Sequence, residues 1–126
     1  MLRQVRGPLL LLCAGLAAAG VACGPAAPAT SCPTNDLPAT CPTPAPSYAG
    51  EVQAIFQAKC LPGCHEPGGM EATKPYTTLA QILQEPLQTM LIQVLSCNMP
   101  KAPSPGLTAD ERKAMLGWFE CMRPNN

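Results

Sequence analysis

Histidine, aromatic side chains and charge are all scarce in this sequence, and each shortage removes a class of function. One histidine, His65, occurs in 126 residues. That leaves no H-E-x-x-H motif and no Ser–His or Cys–His catalytic system separate from whatever His65 itself does. There is no Gly-rich phosphate loop. Charged residues make up 13% of the chain and form no basic run, so nucleic-acid binding lacks its electrostatic footing. No stretch alternates polar and apolar residues as a half-buried strand does. The longest apolar run, residues 9–22, is shorter than the roughly 20 residues a spanning helix needs.

That run has a different use. "MLRQVRGPLLLLCAGLAAAGVAC" starts basic (Arg3, Arg6), continues apolar and reaches Cys23 through small residues, the layout of a secretory signal peptide over residues 1–22. "AAAGVAC" resembles a bacterial lipobox, with Gly20 where leucine is usual. Cys23 is therefore expected to carry acyl chains that hold a soluble domain to a lipid bilayer; ordinary cleavage after Ala22 is the alternative. Without its leader the chain loses two of eight basic residues and none of its eight acidic ones, so it becomes mildly acidic.

Export also sorts the eight cysteines. Cys13 leaves with the signal and Cys23 takes lipid, so Cys32, Cys41, Cys60, Cys64, Cys97 and Cys121 remain. An even set in an oxidising compartment implies crosslinks. Residues 23–47 combine the lipidated cysteine with a Pro/Ala/Thr-rich stretch lacking aromatics, which reads as an extended, disordered linker. Cys32 and Cys41 can close a small loop within it, or bond between molecules.

Folded material is expected from residue 48 to 126. Val52, Ile55 and Phe56 form an apolar stripe on a helix running into Cys60, and Pro62-Gly63 should interrupt it. "TTLAQILQ" reads as a short helix. Pro86 suits the first turn of another, with Leu87, Met90, Leu91, Val94 and Leu95 on one face. Thr108 and Glu111 form a capping box that starts the last helix, whose inner face carries Met115, Trp118, Phe119 and Met122. The class is all-α, three to four short helices. A domain of about 80 residues with so few large apolar side chains needs a staple: a disulfide, a metal or a cofactor.

"KCLPGCHEPGG" points to one such staple. Two cysteines followed at once by histidine suggest covalent haem attachment, usually C-x-x-C-H; here Leu61, Pro62 and Gly63 separate Cys60 from Cys64. Pro-Gly forms turns readily, so the extra residue can bulge outward. A disulfide between Cys60 and Cys64 is the structural alternative, although loop entropy gives so small a ring only about 2 kcal/mol. Zinc is disfavoured, because thiolate sites suit compartments that keep cysteine reduced.

Over roughly residues 48–122 the chain resembles small class I c-type cytochromes. "EVQAIFQAKC" matches the helix leading into the attachment site, "CLPGCH" the site itself, and "NMP" with "LTADERKAMLGWFECM" the methionine loop and C-terminal helix. The resemblance implies one covalent haem c, with thioethers at Cys60 and Cys64 and iron held by His65 and Met99. Met70 is the competing sixth ligand, but only five residues beyond His65 it is not expected to reach the opposite face. It implies an electron carrier rather than an enzyme, anchored in the bacterial cell envelope and serving a redox partner protein. Cys97 would then pair with Cys121, clamping the methionine loop to the last helix, and Cys32 with Cys41. The alternative class is a haem-free, disulfide-stapled lipoprotein with a binding or structural role.

Overall fold

Val52, Ile55 and Phe56, the stripe expected on the first helix, are all buried, and they set how that helix packs. The computed structural model describes residues 32–102 and 104–124; the expected signal peptide and the lipidated Cys23 lie outside them. Helix α1 runs through three consecutive stretches, Tyr48–Val52, Gln53–Ile55 and Phe56–His65. It starts at Ser47, whose hydroxyl accepts from the Gly50 N–H at 3.1 Å. Its first turn is wound wider than an α-helix: the N–H groups of Val52 and Gln53 each reach back five residues, to the carbonyls of Ser47 and Tyr48. Pro62 (φ -57, ψ 115) and Gly63 (φ 72, ψ -9) break the helical geometry as expected. Those angles are those of a type II turn, which takes Pro and then Gly at its two central positions.

Helix α2 spans Leu79–Gln84, α3 Leu87–Leu95 and α4 Ala109–Glu120. No strand occurs among the described residues, and the all-α class stands. The α4 start is the expected capping box: the Glu111 N–H donates to the Thr108 hydroxyl at 3.2 Å, and the Thr108 N–H to the Glu111 carboxylate at 2.7 Å. Thr78 and Gln81 build a second such box on α2. Pro86 stands one position earlier than expected, at the N-cap of α3.

The core lies where α1 meets α4. Trp118 is fully buried, with ring centroids 5.7 Å from Tyr48, 6.3 Å from Phe56 and 5.5 Å from Phe119. Met90 and Val94 close it from α3, and Ile82 from α2. Met115, Trp118 and Phe119 face inward as expected, but Met122 does not. It lies past the end of α4 in a left-handed conformation (φ 62) and is 75% exposed.

The N-terminal stretch departs most from expectation. Residues 32–47 are not an independent linker; they lie along the domain as a strap. Leu37 packs against the core. Pro42 and Pro46 press on Gly117 of α4, where an added Cβ would meet their ring carbons at 3.2 and 3.0 Å. This placement re-pairs the cysteines. The expected bridges Cys32–Cys41 and Cys97–Cys121 are replaced by Cys32–Cys97, with Cα atoms 5.9 Å apart, and Cys41–Cys121, at 4.7 Å. Both observed bridges close long loops, with sequence separations of 65 and 80. By the chain-entropy relation such a loop is worth about 4.5 kcal/mol taken singly, against about 2.5 for Cys32–Cys41 and about 3.5 for Cys97–Cys121.

Candidate functional site

The type II turn delivers Cys64 and His65 to the same wall as Cys60. A cavity of about 300 Å³ opens beside them, lined by Cys60, Cys64, His65 and, from the loop after α3, Met99. All four residues expected to hold a cofactor thus face one cavity. Phe56, Met90, Met115 and Phe119 supply its apolar wall. Met70 lines it too, although it is 58% exposed, so its nearness to His65 in sequence does not remove it from the site.

His65 is buried and held on two sides. Its Nδ1 lies 2.8 Å from the carbonyl oxygen of Lys74. A carbonyl can only accept, so Nδ1 carries the proton and donates it. In the neutral ring the lone pair is then on Nε2, the arrangement in which metal-binding histidines are oriented by a backbone carbonyl. The Tyr76 ring stacks on the imidazole at 4.1 Å with 17° between planes, and meets Phe56 edge-on at 5.9 Å. The loop that brings Lys74 and Tyr76 back is tied down by N–H bonds from Tyr76 to the His65 carbonyl (2.9 Å) and from Glu71 to the Cys64 carbonyl (3.0 Å). A Lys74–Glu85 ion pair at 3.6 Å links that loop to the residue capping α2.

The two cysteines of the motif differ. Cys60 is a thiol, and the surrounding protein pushes it up to about 12, so it is protonated at physiological pH. Cys64 is disulfide-bonded. Tyr76 is also pushed up to about 12, first by burial and then by the Glu85 carboxylate nearby. Its phenol stays neutral against the imidazole.

The guanidinium of buried Arg112 binds the end of α3 and Asp36 of the strap. Neither Tyr76 nor Arg112 is evident from the motif. Tyr76 has no spacing relation to His65, and Lys74 acts through a backbone carbonyl, which leaves no mark on the sequence. Arg112 does carry a signal: it stands three and four residues before Met115 and Leu116, on the apolar stripe of α4, where an unpartnered charge would be costly.

Among the described residues, no group of three or more His, Cys, Asp and Glu side chains could hold a metal ion. No protein family, curated protein or solved structure matches the chain.

Proposed function

We propose that the chain is a membrane-tethered, single-haem c-type cytochrome domain that carries electrons in the cell envelope. The observation supporting this most is the meeting of Cys60, Cys64, His65 and Met99 on one cavity, with the His65 Nδ1 proton already committed to Lys74. The donor set suits haem. Cys60 and Cys64 would hold the group by thioethers, and His65 Nε2 and the Met99 sulfur would ligate its iron, a pairing that raises the potential. A cavity of about 300 Å³ is at the small end for ligand pockets, so the loops bearing Met70 and Met99 must move apart to admit a macrocycle.

The bound group would supply reversible one-electron transfer at its iron. The chain's part is to hold and shield it. Lys74 and Tyr76 fix the imidazole plane, and the Lys74 carbonyl raises its basicity as a donor. Phe56, Met90, Met115 and Phe119 exclude water. Both sulfurs must be thiols before thioethers can form, so Cys64 has to be released from its disulfide first. No acid–base pair is needed, and the protein acts as a carrier rather than a catalyst.

Purified from a host that matures c-type cytochromes, the denatured protein should keep its haem and give a haemochrome spectrum. The combined Cys60→Ser, Cys64→Ser variant should release all of it. Colourless wild-type protein from that host would reject the reading. The haem-free, disulfide-stapled lipoprotein would then stand. It is supported by the two bridges that already close the fold.

Anchoring is proposed through acylated Cys23, outside the described residues, with the bilayer and a redox partner protein as partners. None of the helices described is long and apolar enough to cross a membrane. Cys23→Ser should move the protein from the membrane fraction to the soluble one; a wild type that is soluble and unacylated would contradict the tether.

A further inference from the structure

We propose that the N-terminal strap positions Met99, acting through Asp36, Arg112 and the Cys32–Cys97 bridge. The inference rests on the reading of Met99 as an iron ligand, and it assigns to the strap the control of that ligand.

Met99 lies four residues beyond the end of α3, so its position depends on how that end is fixed. The last carbonyls of a helix have no partner within it. Here Arg112, reaching across from α4, supplies them. Its Nη1 donates to the Val94 carbonyl and its Nη2 to that of Leu95 at 2.8 Å. Nη1 also lies 3.3 Å from the Cys97 sulfur. Cys97 then turns the chain with a left-handed φ of 55, and the Met99 N–H donates back to the Gln93 carbonyl at 3.1 Å. Three groups of this corner, the Val94 and Leu95 carbonyls and the Cys97 sulfur, are within reach of one guanidinium.

That guanidinium is set from the strap. Arg112 is 5% exposed, so its charge needs a partner, and Asp36 provides a fork-to-fork pair: Nε to Oδ2, and Nη2 to Oδ1 at 3.0 Å. Nη2 lies 3.4 Å from the Pro33 carbonyl as well. The Cys32–Cys97 bond joins strap and corner covalently, two residues before Met99. Asp36 and Arg112 touch no cofactor position. They are positioning residues, and Met99 is what they position.

The test uses the full chain, first without haem. Amide hydrogen exchange over residues 97–102 and the rate of Met99 sulfoxide formation in dilute peroxide are measured, with exposed Met122 as internal reference. Asp36→Asn should raise both by about tenfold, the effect of losing a charge-assisted hydrogen bond, while Met122 oxidises as before. Joint Cys32→Ser and Cys97→Ser replacement should do the same. If Asp36→Asn fails to fold, Arg112→Lys, which keeps the charge and loses the fork, is read in its place. In haem-loaded protein the same variants should weaken the near-infrared methionine-to-iron band and lower the potential. Unchanged exchange and Met99 oxidation in the variants would overturn the inference, even if overall stability fell. The two ideas fail separately. A loosened corner in protein that never binds haem rejects only the cytochrome reading, and intact corner and band in haem-loaded variants reject only the strap's role.

Discussion

At Gly69 an added Cβ would lie 2.3 Å from the backbone carbonyl oxygen of Cys64. That oxygen cannot step aside, because it accepts the Glu71 N–H that folds the following loop back on His65. Gly69→Ala should therefore displace the loop bearing Lys74 and Tyr76, at a loss of about 1–3 kcal/mol. Urea unfolding would show it as a lower midpoint with an unchanged slope. Gly106→Ala, where nothing lies within 4 Å of the added carbon, is the control. The site was partly legible at this scale. Cys60, Cys64 and His65 stand together in the chain, and chemistry that needs neighbours leaves a motif. The Lys74 carbonyl and the Tyr76 ring reach His65 only because the loop closes, and nothing in their spacing announces it.

Among the elements, α4 was the most readable because its start depends on a local exchange of two hydrogen bonds between Thr108 and Glu111. Thr108→Ala should cost about 1 kcal/mol. Two carboxylates shape the acid limb of stability. Glu111 is held below its ordinary value of 4.5, first by the Thr108 backbone N–H and further by Lys59. Asp36 is held below 3.8, chiefly by its hydrogen bond from Arg112. Both folded values are depressed, so these carboxylates contribute stability above their ordinary values and lose it as pH falls through the folded ones. Urea midpoints should be flat near neutrality, then fall below about pH 4.5, and fall less steeply in Glu111→Gln and in Asp36→Asn. Equal acid limbs in all three proteins would contradict this. The strap was misread for a physical reason. A Pro-rich stretch without aromatics cannot form a core alone, but Pro42 and Pro46 need only a flat surface, and Gly117 offers one.

For the molecule as a whole, helix periodicity and caps made the all-α class legible, since both are properties of neighbouring residues. Cysteine connectivity was not, because it records which distant segments touch. The strap brings Cys32 to Cys97 and Cys41 to Cys121, and so ties the chain before α1 to the ends of α3 and α4. These two bridges act on overlapping loops, so their entropic contributions do not simply add. They leave Cys60, Cys64, His65 and Met99 around one cavity, and the account turns on what fills it. Tryptic mapping of protein matured with c-type cytochrome machinery is the most direct measurement. Cleavage after Lys59 and Lys101 isolates residues 60–101, which include both motif cysteines, since Lys74 precedes a proline and resists cutting. After full reduction that peptide should carry the mass of one haem, with Cys60 and Cys64 refusing alkylation and Cys97 accepting it. A peptide of unmodified mass, with all three cysteines alkylated, would contradict the account.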